Sequence, residues 1–229
     1  MASHDRRLTT YADIIGGLPR ATSELQVRSL YGSIIKPTLD VILTLLVAVP
    51  AVLIVGLFAL IIMKDGHNPF YRQTRLGKNG RAFGMWKLRS MVPNAESVLD
   101  DYLAQNPEAR REWDLTQKLK SDPRITPIGR LIRKTSIDEL PQLLNVFSGD
   151  MALVGPRPMM LDQRVMYPGV AYYAMRPGIT GFWQTSSRNE SSFAERATFD
   201  ASYFSEMSLA TDLRVLLKTV GVVFAGTGY

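Results

Sequence analysis

The sequence predicts an α+β protein in which a long apolar helix precedes a small domain made of a short β-hairpin and several helices. Three stretches lead to this fold class. Residues 41–63 form an uncharged apolar run, residues 70–91 alternate between apolar and polar side chains, and residues 213–224 place apolar side chains at helical spacing. One membrane-associated segment and one catalytic or binding domain are therefore expected.

These patterns divide the chain into a polar N-terminal tail, residues 1–33, an apolar segment, residues 34–65, and a domain, residues 66–229. The tail carries no signal peptide, because the first apolar run begins too far from the N-terminus.

Composition narrows the chemistry that the domain can perform. The formal net charge of +6 indicates an anionic partner, which is a nucleic acid, a lipid surface or a phosphorylated substrate. The absence of cysteine excludes thiol nucleophiles and zinc thiolate sites. The two histidines, His4 and His67, stand in a polar tail and a turn, so a histidine-based triad is hard to build. A carboxylate is therefore the most economical nucleophile or base.

The apolar run allows two membrane topologies. As one straight helix, 23 residues extend roughly 35 Å, which is enough to cross a ~30 Å hydrocarbon core. Pro50 lies inside the run and removes a backbone donor, so a bend is expected there. Two shorter arms would form a re-entrant hairpin that returns to the face it entered from. Both topologies place the downstream domain in the cytoplasm.

Residues 70–91 give the strongest strand signal, because apolar and aromatic side chains alternate on both sides of a Gly-Lys-Asn-Gly turn. The segment carries five cations from Arg72 to Lys87, with aromatic residues between them. These cations either contact lipid headgroups or a nucleotide phosphate, or they are simply solvated.

The remaining chain is predicted to be mostly helical. Residues 93–120 are polar and are predicted to form an exposed helical segment. A further helix begins near Asp138 and ends before Ser148. The final apolar stripe packs in a core or, in a chain at a bilayer, lies in the interface. Its members are Leu213, Leu216, Leu217, Val220 and Phe224.

The acidic pair Asp138 and Glu139 has a structural explanation. Ser136 and Glu139 have the spacing of a capping box, and acidic residues are favoured in the first turn of a helix.

A functional explanation starts from basic residues that are candidates to converge on the same helix start. They are Arg133, Lys134, Arg157 and Arg188. Helix N-termini and arginines bind phosphate, and two carboxylates can hold Mg²⁺ against a diphosphate. A carboxylate beside cations is expected to stay ionised, as a nucleophile on phosphorus must.

Five segments in order carry a resemblance to a known family. The chain resembles the bacterial sugar transferases, monotopic polyprenyl-phosphate phosphoglycosyl transferases that start exopolysaccharide, O-antigen and glycoprotein glycan assembly. The match runs from about residue 34 to the C-terminus, and its specificity comes from the joint occurrence of all five. The segments are KPTLD before the apolar run, FYRQTRLGKNGRAFGMWKLRSM, DPRITPIGRLIR, TSIDELPQLLNVFSGDMALVGPRP and RPGITGFWQTSSRN.

The resemblance implies transfer of a sugar-1-phosphate from a UDP-sugar to undecaprenyl phosphate, with release of UMP. In that family an aspartate of an Asp-Glu dyad forms a covalent phosphosugar intermediate. Asp138 matches this nucleophile and Glu139 its partner, and both would hold Mg²⁺ on the diphosphate. The phosphate-binding arginines of the family correspond to Arg133, Arg157 and Arg188.

The resemblance also implies that residues 34–65 form a re-entrant helix, with Lys36 and Asp40 at its mouth and Pro50 at its bend. Residues 66–229 would then lie on the cytoplasmic face of the bacterial inner membrane, with amphipathic interfacial helices. The short tail and the C-terminal segment are most similar to exopolysaccharide-starting galactose or glucose transferases. Two departures stand out: Val49 precedes Pro50 where serine is frequent, and Ser187 replaces a common glycine.

Two other classes of function stay open from the residues. One is a membrane-anchored basic adaptor without enzymatic activity, although no nucleic-acid motif supports a nucleic-acid partner. The other is a Mg²⁺-dependent hydrolase of lipid diphosphates, which would use the same acidic pair and deliver the phosphosugar to water.

Overall fold

The computed structural model describes residues 29–116, 119–186 and 193–224. Most of the predicted tail and the predicted phosphate ligand Arg188 lie outside these residues. A π-helical turn, Tyr31–Ile35, leads into the first long helix. The regular elements that follow are α1 Lys36–Ile62, β1 Phe70–Leu76, β2 Ala82–Leu88, α2 Ala95–Gln105, α3 Pro107–Thr116, α4 Pro127–Lys134, a 3₁₀ helix Ile137–Gln142 (the acidic 3₁₀ helix), α5 Leu143–Phe147, β3 Ala152–Val154, a 3₁₀ helix Asp162–Met166, α6 Ala171–Ala174, β4 Gly178–Thr180, α7 Arg196–Glu206 and α8 Leu209–Phe224.

The fold is α+β, as predicted, with one long apolar helix near the N-terminal end of the described residues. Helix α1 continues through Pro50. Together with the turns that flank it, Tyr31–Asp65 is the one helical stretch of the described residues that is long and apolar enough to cross a membrane. The predicted re-entrant topology stays a prediction.

Both ends of α1 pack against the domain, while its middle is largely exposed. Ala59 and Ile62 join a core cluster with Leu88 and Ile132. At the other end, the Asp40 carboxylate accepts a hydrogen bond from the backbone N–H of Leu153. Between these contacts the large apolar side chains are exposed, among them Leu45, Leu46, Val49, Val52, Leu53 and Leu57. A surface of this kind indicates an apolar environment around α1.

The predicted hairpin is confirmed. Strands β1 and β2 pair antiparallel in a register that runs from Phe70 opposite Leu88 to Leu76 opposite Ala82. The turn between them holds Asn79 at φ 58° and Gly80 at φ 73°, a left-handed conformation that asparagine and glycine tolerate best.

A second, parallel pair of strands positions the segment that carries Arg157. Strand β3 pairs with β4, Val154 lying opposite Thr180. The backbones approach so closely beyond β3 that a Cβ atom on Gly178 would lie 2.1 Å from the backbone nitrogen of Gly155. Glycine is therefore required there, and the Gly-Pro-Arg-Pro segment leaves the sheet at a fixed place.

The predicted exposed helical segment, residues 93–120, and the predicted helix near the C-terminus are also present. Helices α2 and α3 cover a small cluster of Leu99, Leu103 and Leu119. The prediction that the apolar stripe on α8 packs in a core is wrong for Leu213, Leu217 and Val220, which are exposed. The buried face of α8 instead presents three other side chains, those of Thr211, Asp212 and Val215.

Candidate active site

The acidic pair lies on a short, buried turn of helix rather than at the start of an α-helix. The acidic 3₁₀ helix follows α4 after Ser136, whose φ of 57° reverses the chain direction. Asp138 is buried, with 7% of its surface exposed. Ser136 makes no side-chain capping bond, and the Glu139 carboxylate instead contacts Lys87. The predicted capping box is therefore absent, and helix capping does not account for the pair.

Lys87 bridges the two carboxylates. Its Nζ lies 2.9 Å from Oε1 of Glu139 and 3.7 Å from Oδ2 of Asp138. The side chain projects from β2 on the same inward face as Phe83 and Met85, and it is itself buried. A lysine at an inward position of an alternating strand is the signal by which sequence reasoning could have singled it out.

Arg157 supplies a second cation on the same carboxylate. Its Nη2 lies 3.8 Å from Oε1 of Glu139, and the Gly-Pro-Arg-Pro segment after β3 carries it there. Two cations, Lys87 and Arg157, therefore lie within 4 Å of the same Glu139 oxygen. The full predicted convergence, which includes Arg188, stays a prediction.

Burial shapes the ionisation of the pair. Burial raises the pKa of Asp138, and the charge of Glu139 adds to that rise, while Lys87, Arg133 and Arg157 oppose it. The net direction is upward, opposite to the sequence-based expectation that cations alone would favour the ionised form. For Lys87, burial lowers the pKa, but the charges of Glu139 and Asp138 outweigh it and the pKa rises.

A small cleft opens beside this pair. The side chain of Glu139 lines it, whereas Asp138 adjoins it through their common contact, Lys87. The cleft carries three cations, and its lining consists of Arg75, Met85, Lys87, Glu139, Gln142, Arg157, Pro158, Gly178 and Ile179. Such a concave, cationic surface next to two carboxylates suits an anionic substrate and a carboxylate that acts on it.

Sequence reasoning grouped Arg75 with the other cations of residues 70–91 without singling it out, and it missed Arg196. Arg75 donates hydrogen bonds to the backbone oxygen of Pro158 and to Gln73. The guanidinium of Arg196 lies 4.2 Å from the centre of the Trp183 ring. No local pattern separates Arg75 from the other cations of the hairpin or marks Arg196, because the surroundings of both side chains depend on tertiary contacts.

The predicted mouth residues, Lys36 and Asp40, belong to a separate buried network. Lys36 Nζ lies 3.8 Å from Asp40, as predicted, but only 2.6 Å from Asp212 on α8. The hydroxyl groups of Tyr31 and Tyr203 also donate to Asp212, each at 2.6 Å. This network fastens the beginning of α1 to the C-terminal helix.

The predicted metal ligands fit Mg²⁺ in number. Among the described residues, no group of three or more histidine and acidic side chains is placed to hold a metal ion. Mg²⁺, however, is commonly bound by only one or two carboxylates together with substrate phosphates. Asp138 and Glu139 supply that number, with Glu139 on the wall of the cationic cleft and Asp138 buried beside it.

Sequence comparison identifies the family of this chain. The profile described as Bacterial sugar transferase matches residues 31–226. The chain belongs to the bacterial sugar transferase family.

Three relatives of this family give the range of similarity. The UDP-galactose-lipid carrier transferase of Erwinia amylovora is 48% identical over 198 residues, which cover 85% of this chain and 41% of that protein. The undecaprenyl-phosphate galactose phosphotransferase of Salmonella typhimurium is 43% identical over 196 residues, with the same two coverages. The exopolysaccharide production protein ExoY of Sinorhizobium fredii is 42% identical over 202 residues, covering 86% of this chain and 88% of ExoY.

The chain therefore spans about two-fifths of the length of the first two relatives and most of the length of the third.

Proposed function

We propose that this protein transfers a sugar-1-phosphate, with galactose or glucose as the sugar, from a UDP-sugar to undecaprenyl phosphate and releases UMP. The observation that carries the proposal is the pair of buried Asp138 and partly buried Glu139, bridged by Lys87 beside a cationic cleft. Relatives named as a UDP-galactose-lipid carrier transferase and an undecaprenyl-phosphate galactose phosphotransferase support the substrate class.

The proposed reaction proceeds in two displacements at one phosphorus atom. First, a carboxylate oxygen of Asp138 attacks the phosphorus that bears the sugar, and the bond from that phosphorus to the bridging oxygen breaks. UMP leaves with this oxygen and its electron pair. A phosphate oxygen of undecaprenyl phosphate then attacks the same phosphorus, and the bond to Asp138 breaks. The carboxylate is regenerated, and the product is a lipid diphosphate sugar.

The neighbouring side chains have distinct roles in this scheme. Arg157 faces the cleft and would bind the phosphoryl oxygens, on which negative charge builds up during transfer. Lys87 would hold the two carboxylates in place and favour their ionised forms against the effect of burial. Arg133 acts on Asp138 in the same electrostatic sense. Arg188, outside the described residues, stays a proposed phosphate ligand.

Asp138 and Glu139 would hold Mg²⁺, which when bound neutralises charge on the diphosphate.

The same proposal places α1 as a re-entrant helix in the cytoplasmic leaflet of the bacterial inner membrane. Both of its ends pack against one domain, Lys36 on Asp212 and Ile62 on Ile132, which supports a topology with both ends on the same side of the bilayer. The exposed apolar side chains between them would then meet lipid. The exposed stripe on α8 would lie in the membrane interface.

The deciding experiment is a UMP-release assay with the purified protein, Mg²⁺, undecaprenyl phosphate and a panel of UDP-sugars. Lipid-dependent UMP release with one or two sugars would establish the transferase and name its donor. Release of sugar-1-phosphate into water without a lipid product would identify a hydrolase instead. No release with any UDP-sugar, given a folded protein, would favour a membrane adaptor and end the proposal.

A further inference from the structure

Three guanidinium groups lie near one another at and beside the cleft. Arg157 and Arg196 both lie over the ring of Trp183, at 5.7 Å and 4.2 Å from its centre. Arg75 lines the cleft together with Arg157. The three groups come from β1, the Gly-Pro-Arg-Pro segment and the first residue of α7, so only the tertiary fold unites them.

Two of the three guanidinium groups have hydrogen-bond donors that no described residue uses. The Nε atoms of Arg75 and Arg196 are buried and find no acceptor among the residues that the structure describes. The nearby carboxylate of Asp200 accepts a hydrogen bond from Tyr167 at 2.6 Å. Buried donors without partners are costly, so their occurrence in a functional cleft points to a ligand that supplies the acceptors.

Electrostatics leads to the same conclusion. Burial lowers the pKa of Arg75 to about 10, and the positive charge of Arg157 adds to the effect. Burial likewise lowers the pKa of Arg196 to about 9, with further contributions from Arg157 and Arg75. The carboxylate of Asp200 opposes these effects on Arg196, yet the pKa of Arg196 still falls. An anion placed among the three mutually repelling cations would stabilise them together.

We propose that Arg75, Arg157 and Arg196 form a second phosphate-binding site, which holds the nucleotide-side phosphate of the diphosphate donor. The proposal rests on the function proposed above and extends it to the part of the donor that leaves as UMP. Arg157 is the shared element, because it reaches Glu139 on one side and the Trp183 ring on the other. The two phosphates of a diphosphate share one oxygen, so their two binding sites must adjoin in this way.

The test measures ligand binding by calorimetry on the full chain, independently of turnover. The probes are UMP, uridine and farnesyl phosphate, a short prenyl phosphate. The variants are Arg75→Gln and Arg196→Gln, with Arg72→Gln as the matched control. Arg72 is an arginine of the same strand as Arg75, but it lies over Trp86 on the opposite face of β1.

UMP affinity is expected to fall at least tenfold in Arg75→Gln and Arg196→Gln and less than twofold in Arg72→Gln. Affinities for uridine and farnesyl phosphate should change less than twofold in all three, because neither carries the nucleotide-side phosphate. Unchanged UMP affinity in both cleft variants, or no UMP binding by the wild type, overturns the proposal. A comparable or greater loss of farnesyl phosphate affinity assigns the arginines to the lipid phosphate and also overturns it.

Arg196 packs on Trp183 and Phe193, so thermal unfolding is recorded for every variant. If Arg196→Gln does not fold, Arg75→Gln and the charge-preserving Arg196→Lys decide. Arg75→Gln must then lose at least tenfold in UMP affinity, and Arg196→Lys must lose less than tenfold.

Two outcomes separate this proposal from the proposed function. If UMP binding changes as expected but the protein transfers no sugar phosphate, the transferase proposal alone is refuted. Normal transfer with unaffected UMP binding would refute the second phosphate site alone.

Discussion

The ammonium group of Lys87 faces both carboxylates of the acidic pair, and it is buried together with Asp138. Removing it should leave two negative charges in a poorly hydrated place. We expect Lys87→Met to lower the free energy of unfolding by roughly 3 kcal/mol, the order found when one partner of a buried ion pair is removed. Urea denaturation of the detergent-solubilised protein measures this loss, and Lys64→Met, at an exposed lysine, serves as the control.

A second substitution tests the cause. If the loss comes from uncompensated charge, adding Glu139→Gln to Lys87→Met should recover part of the stability, because one of the two carboxylates is then neutral. A double variant less stable than Lys87→Met alone would show that packing, and not charge, makes Lys87 important.

Asp138 has a different role in the proposal, since it forms a bond with the substrate. Asp138→Asn keeps the shape of the side chain but removes the nucleophile, so turnover should fall by at least about 10³-fold with an unchanged unfolding temperature. UMP release and thermal unfolding measure the two effects. Asp114→Asn, at an exposed aspartate of α3, should leave both unchanged. A fully active Asp138→Asn protein would contradict the covalent mechanism.

At this scale the sequence revealed part of the site. Asp138, Glu139 and Arg157 could be named because they stand in contiguous motifs with family counterparts. Lys87 is 52 residues from Glu139 in the chain, and its contact depends on how the hairpin packs on the acidic 3₁₀ helix. No local spacing encodes that packing, and the same holds for Arg75 and Arg196.

At the scale of elements, the sequence predicts the type of each helix or strand well. It predicts less well which face of the element is buried. The hairpin follows from its Gly-Lys-Asn-Gly turn, whose left-handed residues fix the strand register. Helix α8 follows from its periodicity, but its buried face was not the most apolar one. Asp212 faces inward because Lys36, Tyr31 and Tyr203 satisfy its carboxylate, and this turns Leu213 and Leu217 outward.

The outward stripe of α8 makes a prediction about membrane contact. A fluorophore on Leu217→Cys should be quenched strongly by brominated lipids, because this position would lie at the acyl boundary. Lys218→Cys is the matched control, since the next residue lies about 100° around the helix and off the stripe. The chain has no cysteine, so each variant labels at one site. Equal quenching at both positions, or none at either, would contradict an interfacial α8.

At the scale of the whole molecule, the buried network around Asp212 constrains the topology of α1. Lys36 must lie beside α8 for its ammonium group to reach Asp212 at 2.6 Å, while Ile62 packs on Ile132 of the same domain. A spanning α1 would carry Lys36 to the opposite side of the bilayer and leave these buried charges unpaired. Breaking a buried pair in this way costs several kcal/mol, so the network favours the re-entrant topology.

Impermeant maleimide labelling tests this directly. Ser33→Cys, just before α1, and Asp114→Cys, in the domain, should both react in inverted vesicles and neither in intact spheroplasts, because both sites would face the cytoplasm. A cysteine on the periplasmic face of an unrelated membrane protein serves as the control, because its labelling verifies that the reagent reaches that face in spheroplasts. Labelling of Ser33→Cys from the periplasm would establish a spanning helix.

The unfolding temperature of Asp212→Asn gives a second test. A spanning helix could not form the contact between Lys36 and Asp212, so this substitution should then leave the unfolding temperature unchanged. With a re-entrant helix, the same substitution should lower it.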